Sequence, residues 1–325
     1  MSNFKISVLG PIPRDHITTH HGEVIEKYGC AMHPAIGLSR LVGEDGTVSV
    51  VSHVKKQDEG PVKAILEKYA NIDSSQITSE NDQGDIIQLK FIDQNNRLEQ
   101  QTGFMNPILP VDVTPVLDSD VFVIVPITDY EVPLATLQYL KANSQGVIIF
   151  DAHGPTNGVS VDGKRFLQYW LDRDLWLPAI DVLKMNLEES HCCWFEEQGA
   201  EGTDHLPDFA RHVLDHGVSA LIVTLDEKGS AVYFKEGNEV REMIVPAIWV
   251  DHVVDTTGCG DSFAGGLGFG LLQDSTDYIT AVMYANALGA QRTQGRTFEV
   301  FKSRPETEAM LEKHYPDLLK VNPTS

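Results

Sequence analysis

Short apolar runs with no polar alternation recur along this chain, and stretches with helical spacing separate them. Lys5–Leu9 (KISVL), Val121–Val125 (VFVIV), Gly146–Phe150 (GVIIF), Val182–Met185 (VLKM) and Ala220–Leu225 (ALIVTL) each read as a strand. A strand apolar on both faces must be covered on both faces, as in a parallel sheet between two helical layers. Between the runs, Val62, Ile65, Leu66 and Tyr69 fall on one helical stripe, and Leu134–Leu140 and Phe209–Leu214 repeat that pattern. The alternation predicts an α/β fold, a doubly wound, mainly parallel sheet flanked by helices. No linker, repeat or low-complexity tract divides the 325 residues, so one domain over residues 1–325 is expected.

Two segments in the first third break the rhythm. Arg14–Tyr28 is strand-like but polar. Asp85–Met105 reads as two strands around the polar turn Asp93-Gln94-Asn95-Asn96, and Ile87, Leu89 and Phe91 alternate with Gln88 and Lys90. Such strands are half exposed. They can pair into a small sheet beside the main body, inserted from about residues 12–30 and 85–106. A lid over a ligand is one reading and an edge hairpin without function is the other. Pro323-Thr324-Ser325 reads as a frayed end.

Charge narrows the partners. The formal net charge is -22, from 25 Lys+Arg against 47 Asp+Glu, which disfavours nucleic acid and anionic membranes as partners. Anionic small molecules remain open, because backbone N–H groups can hold a phosphate on an acidic protein. The four cysteines do not form a disulfide framework or zinc spacing: Cys30 and Cys259 stand alone and Cys192-Cys193 are adjacent. MSNFKISVLG lacks the features of a signal peptide, and no run approaches a membrane span. A reduced cytoplasm is expected.

The chemistry concentrates in Val253–Leu272, VVDTTGCGDSFAGGLGFGLL. A short strand-like segment leads into Thr257-Gly258-Cys259-Gly260, and a helical pattern begins near Asp261. Glycines there let backbone N–H groups converge, and the helix N-terminus adds partial positive charge, so the junction is an anion hole suited to a phosphate. A carboxylate at the same spot needs a task. General base toward a hydroxyl attacking a phosphoryl group is one, and capping the helix is the plainer one. Gly265, Gly266, Gly268 and Gly270 lie within the helical pattern and are read as close-packing positions rather than a phosphate loop.

DTTGCGD resembles the DTxGAGD signature of the ribokinase-like (PfkB) family of carbohydrate and nucleoside kinases. Further matches follow in order. Asp15 follows the first strand, Tyr28–Leu41 (YGCAMHPAIGLSRL) resembles the GGxxxNxA segment, and Gln57-Asp58-Glu59-Gly60 resembles GxDxxG. Lys184-Met185-Asn186-Leu187-Glu188-Glu189 is similar to the Asn-x-x-Glu motif, and Val223–Gly229 to the VTLGxxG strand and turn. The resemblance runs from Asp15 to about Gly295. It implies a ribokinase-like fold with a β-sheet lid and a kinase using ATP and Mg²⁺ on a hydroxyl of a sugar or nucleoside. Asp261 would be the catalytic base, with Gly258, Cys259 and Gly260 as the anion hole. Asp15, Gly29, Cys30 and His33 would bind the acceptor, and Arg97 would reach it across the lid unless it is simply solvated. Asn186 and Glu189 would organise Mg²⁺ and its waters, although a helix start with Glu in its first turn explains them equally. Thr224, Gly229 and Asn286 would lie along the nucleotide. Asp255 and the Thr257 carbonyl resemble a monovalent-cation (K⁺) site, completed by the Arg292–Thr297 loop. Pairing of two chains through the lid is compatible with the family.

Departures cluster in the acceptor half. Cys30 stands where the family has a second Gly, and His33 where it has Asn, implying a non-ribose acceptor or an altered pose. Cys259 replaces Ala and is either an inert small residue or a thiol activated by the helix N-terminus. Asp226 replaces a turn glycine, and His153 stands where Asn is frequent, as a site residue or as a loop histidine bonded to backbone. A sugar phosphate would call for a basic cluster; Arg14, Arg40, Lys55 and Lys56 are the candidates, unless they are surface charge, and an unphosphorylated acceptor is preferred. A non-catalytic homologue that binds nucleotide or sugar as a regulator is the alternative, motivated by the altered acceptor motif and opposed by the intact Asp261. A nicotinamide dehydrogenase is set aside, because Leu9-Gly10-Pro11-Ile12-Pro13 lacks the glycine fingerprint.

Overall fold

The computed structural model describes residues 3–92, 97–194 and 202–321. In chain order its strands are β1 (Phe4–Leu9), β2 (Arg14–Thr18), β3 (Val24–Tyr28), β4 (Gly46–His53), β5 (Ile72–Asp73), β6 (Ile77–Thr78), β7 (Ile86–Phe91), β8 (Arg97–Gly103), β9 (Val121–Ile124), β10 (Val147–Asp151), β11 (Asn157–Val159), β12 (Arg165–Leu167), β13 (Val182–Asn186), β14 (Ala220–Thr224), β15 (Ser230–Glu236) and β16 (Glu239–Val245). Among the described residues the main sheet has ten strands in the order β16-β15-β14-β13-β10-β9-β1-β4-β5, with β6 also on β4. From β14 to β5 the pairs are parallel; β15 and β16 add an antiparallel edge.

The apolar runs are strands because each feeds two cores at once. In β9, Val121 and Val123 join one hydrophobic cluster and Phe122 and Ile124 the other; in β14, Ala220 and Ile222 face one way and Leu221 and Val223 the other. Side chains alternate across a strand, so burial on both faces removes any polar alternation. The helical stripes are also found, with shifted limits: Lys56–Leu66, Leu134–Asn143 and Leu206–Asp215. The first starts six residues before the stripe and ends before Tyr69. The segment at Val253-Val254 is not a strand; its exposed valines precede the helix Cys259–Gln273 in an irregular loop.

The polar segments form the second sheet, in the order β3-β2-β7-β8. Its joint is the parallel pair of β2 with β7, while β2–β3 and β7–β8 are antiparallel hairpins. Ile17, Ile87 and Leu89 are its buried apolar residues among those described, packed with Ile25, Phe91 and Ile127. The alternation expected across Ile87–Phe91 is therefore present, and the fold is ribokinase-like with a small β-sheet lid. The turn at residues 93–96, the side chain of Arg97 and the terminal Pro323-Thr324-Ser325 lie outside the described residues.

The helix Cys259–Gln273 sits at the centre of one helical layer, and its glycines explain how. A Cβ at Gly265 would fall 2.8 Å from Pro34, at Gly266 2.4 Å from the Tyr284 carbonyl, at Gly268 2.7 Å from Val123 and at Gly270 2.2 Å from Ala281. Two neighbouring helices and the sheet thus approach its backbone directly, and the close-packing reading of these glycines holds. Gly270→Val is expected to destabilise the fold by about 1–3 kcal/mol or more through overpacking. Gly60 meets no atom beyond its chain neighbours inside the helix Lys56–Leu66; the helix-propensity gain of Gly60→Ala is offset by crowding against Pro61, which follows it, so its stability should change by less than about 1 kcal/mol. Urea unfolding of the two variants checks the contrast; equal stability would contradict the packing account.

Candidate active site

Parallel strands leave their C-terminal ends open at one edge of the sheet, where α/β folds bind ligands. Here β10 ends on Asp151, β13 on Asn186 and β14 on Thr224. The N-terminus of the helix Cys259–Gln273 projects over that edge. Its cap, Gly258, has φ +82, and a Cβ there would lie 2.4 Å from the His33 ring, so only glycine fits. The Cys259 N–H donates to the Thr256 carbonyl at 3.2 Å, whereas the Gly260 and Asp261 N–H groups have no partner among the described residues. Of the three residues expected to supply the anion hole, only Cys259 has its N–H engaged by another carbonyl; no bond from the Gly258 N–H is found among the described residues either. Lys184 reinforces them: its ammonium lies 3.1 Å from where a Cβ on Gly260 would be. Both Lys184 and its partner Asp151, at 2.7 Å, are buried. Burial opposes the lysine's charge, but Asp151, Glu189 and Asp261 outweigh it and push its pKa above the usual range.

Asp261 is in the first turn of this helix. Burial, and then the nearby Asp151 carboxylate, push its pKa up to about 6; Lys184 and His153 limit the rise. The Cys30 thiol donates to the Val125 carbonyl at 3.1 Å and lies 3.8 Å from Asp261 Oδ1. Cys30 has φ +44, a left-handed conformation that costs a side-chain-bearing residue ~1 kcal/mol, which accounts for the glycine usual at this position. Asp226, with φ +51, occupies the other left-handed turn where a glycine is replaced. Burial pushes the Cys259 thiol up to about 12, the direction that favours the inert of its two readings.

The acceptor candidates come together. Asp15 is buried, and its Oδ2 lies 3.1 Å from where a Cβ on Gly29 would be. His33 is 2% exposed, and neither ring nitrogen has a hydrogen-bond partner among the described residues. Burial, with Arg292 and Lys27 nearby, holds His33 well below the usual imidazole range, so the ring is neutral. Arg97 is in β8 opposite Phe91. Three of the four basic residues considered for a sugar phosphate are engaged elsewhere: Arg14 with Asp58 at 3.3 Å, Lys56 with Glu59 at 2.7 Å, and Arg40 with the Phe301 carbonyl at 3.3 Å, whereas Lys55 makes no such bond among the described residues.

On the nucleotide side, Asn186 and Glu189 form a reciprocal capping box for the helix Leu187–Cys193, each bond 2.8 Å. The helix-start reading therefore holds, but Glu189 does more. Its other oxygen lies 2.8 Å from His153 Nδ1, and His153 Nε2 lies 3.2 Å from Arg165. Burial pulls the imidazole pKa down, and Glu189 more than compensates, leaving it above its usual range. His153 is thus tied to a carboxylate rather than resting only on backbone. Thr224 sits between Asn186 and Ser230 across the sheet, and Ser230 donates to Asn286 Oδ1 at 3.3 Å. Asn286 spends its amide on the Pro246 carbonyl and Tyr315, and Gly229, with φ +99, packs under the Val245 carbonyl. These two lie at the ends of β15 and β16. At Asp255, Oδ1 accepts from the Thr257 N–H at 2.9 Å, while Lys27 and Arg292 reach Oδ2 at 3.0 and 3.1 Å. Burial would raise this carboxyl, but the Thr257 N–H and the Lys27 ammonium hold it well below the usual range.

Sequence reasoning missed Lys184, Asp151, Arg165 and Lys27 as parts of this site. For the first two a signal existed, a charge inside or at the end of an otherwise apolar strand (VLKM, VIIFD), which is costly unless paired.

The profile of the pfkB family of carbohydrate kinases matches residues 167–297. The ribokinase of Lactococcus lactis is 26% identical over 312 residues, 89% of this chain and 91% of that protein. Arabidopsis thaliana ribokinase complexed with ribose and ATP superposes with a TM-score of 0.74 at 17% identity, over 96% of this chain and 99% of that one. A fructokinase double mutant from Vibrio cholerae O395, with fructose, ADP and a potassium ion bound, superposes at 0.73 with 18% identity, over 96% and 99%. Over residues 167–297 the chain resembles the pfkB family of carbohydrate kinases, phosphotransferases that take an alcohol as acceptor, and along nearly its whole length it has the ribokinase-like fold.

Proposed function

We propose that this protein transfers the γ-phosphoryl group of MgATP to a hydroxyl of an unphosphorylated sugar or nucleoside, with Asp261 as general base. The observation that carries the reading is the position of Asp261: a carboxylate with a pKa near 6, one residue from free N–H donors at a helix N-terminus. The acceptor oxygen attacks phosphorus, its proton passes to Asp261, and the bond from phosphorus to the ADP oxygen breaks. The Gly260 and Asp261 N–H groups, the helix dipole and the Lys184 ammonium stabilise charge on the transferring group.

MgATP enters as a substrate along Asn186 and Thr224. Glu189 has both oxygens in hydrogen bonds, so its remaining lone pairs suit a metal-bound water better than the ion itself, in keeping with the way Mg²⁺ retains its waters. Asp15 and His33 take acceptor hydroxyls, and the orphaned nitrogens of the neutral His33 offer one donor and one acceptor. The lid limits access of water to the phosphoryl group. An unphosphorylated acceptor is favoured because Arg14, Arg40 and Lys56 are already bonded within the fold.

Asp261→Asn should lower kcat by about 10²–10⁴-fold, with nucleotide binding retained. Turnover within a few-fold of the parent would remove Asp261 as the base and favour the regulatory alternative. In the parent, kcat/KM should rise with pH and reach half its plateau near pH 6. The same shift sets a stability effect. The folded carboxyl keeps its proton to a higher pH than the unfolded one, so ionisation destabilises the fold as pH climbs from about 4 to about 6. Above that window Asp261→Asn should therefore be the more stable protein, by about 3 kcal/mol. Thermal melting at pH 8 and pH 4 checks this; the gain should vanish at the lower pH.

A further inference from the structure

The resemblance implies a monovalent cation at Asp255 and the Thr257 carbonyl, and the Vibrio fructokinase holds potassium. The residues present do not fit such an ion. Potassium is held by oxygen lone pairs that replace its hydration shell. In this chain the side-chain oxygens of Asp255 and two carbonyls of the closing loop already have donors, which leaves the Thr257 carbonyl as the expected ligand with none among the described residues. Asp255 Oδ2 takes the Lys27 ammonium at 3.0 Å and the Arg292 guanidinium at 3.1 Å, and Oδ1 takes the Thr257 N–H at 2.9 Å. In the loop expected to complete the site, the Gly295 carbonyl accepts from Arg292 Nη1. The Thr293 carbonyl accepts from the Val254 N–H at 2.7 Å and the Asp255 N–H at 3.3 Å. A potassium ion would enter beside two fixed positive charges, and repulsion at such distances is severe in a partly buried site. Arg292 is 1% exposed, so it cannot swing out to make room.

We propose that Lys27 and Arg292 stand in for the monovalent cation, making the enzyme independent of potassium. The inference rests on the reading that the loop beside Asp261 is the catalytic anion hole. Both are positioning residues. They neutralise Asp255, whose bond to Thr257 fixes the turn into Gly258 and so aims the N–H donors. Their origins differ. Arg292 ends the helix Tyr278–Arg292, whereas Lys27 belongs to lid strand β3. Part of the charge that orders the anion hole is therefore delivered by the lid, so a displaced lid leaves the loop less well held.

The test compares potassium chloride with tetramethylammonium chloride at equal ionic strength, for parent protein and Lys27→Met. Parent turnover should differ by less than 2-fold between the salts, and its melting temperature should be the same in both. Lys27→Met should lose several-fold in turnover in tetramethylammonium chloride, regain part of it in potassium chloride, and melt higher in potassium. Potassium stimulation of the parent, or a potassium-specific rise in its melting temperature, would overturn the proposal. So would a Lys27→Met protein that keeps full turnover without potassium, or a loss that potassium leaves unchanged. If Lys27→Met does not fold, the parent in the two salts still decides. The melting arm needs no turnover, so a protein with no kinase activity would sink the functional reading while leaving the cation question answered.

Discussion

The site depends on how closely one helix can approach its neighbours. Cys259–Gln273 touches the sheet at Gly268, the helix Tyr278–Arg292 at Gly266 and Gly270, the helix Met32–Val42 at Gly265, and His33 at Gly258. Because no side chain intervenes at these positions, the helix lies deep in its layer and its first turn comes down on the ends of β10 and β13. Asp261 and the free N–H groups are thereby held above Lys184 and Asp151. Packing density fixes the geometry here, and hydrogen bonds refine it.

Charge does the rest. Around Asp261 the fold buries Asp151, Lys184 and Glu189, groups that would be expensive alone and are tolerable as a connected set. The set extends through His153 to Arg165, and through Arg165 to the Ile127 carbonyl below the lid. A second connection, Lys27 to Asp255 to Arg292, joins the lid to the other side of the anion hole. Tyr28 and Arg14, from the same lid strands, both reach Asp58 on the helix Lys56–Leu66. The small sheet is thus tied to the body by ion pairs and hydrogen bonds as well as by the packing of Ile127 under it.

Much of this was legible in the sequence where local pattern and final environment agree. The doubly buried strands, the polar lid strands and the GCGD junction each carry a local signal that tertiary structure had no reason to override. β4 and the β15–β16 hairpin were not read, because GTVSVVSH is modestly apolar and EVREMIV is an exposed edge strand. The Gly237-Asn238 turn was a usable hairpin signal. In the site, motif residues were recognisable one by one, but their partners were not. Lys27 lies 228 residues from Asp255, and nothing local says that they meet. The same is true of Arg165 and His153, where the β11–β12 hairpin brings a cation to a loop histidine. The Val253-Val254 run was misread for the opposite reason: two β-branched residues carry strand propensity, but they stand exposed in a loop with no neighbouring strand to pair with.

The central claim is that an acceptor alcohol is phosphorylated beside Asp261. It is tested most directly by ³¹P NMR of the protein with MgATP and a panel of free sugars, nucleosides and sugar phosphates. The account predicts a new phosphomonoester resonance that grows in step with ADP, with an unphosphorylated sugar or nucleoside present and not without it. Unchanged ATP across the panel, with nucleotide bound, or release of inorganic phosphate alone regardless of acceptor, would contradict it.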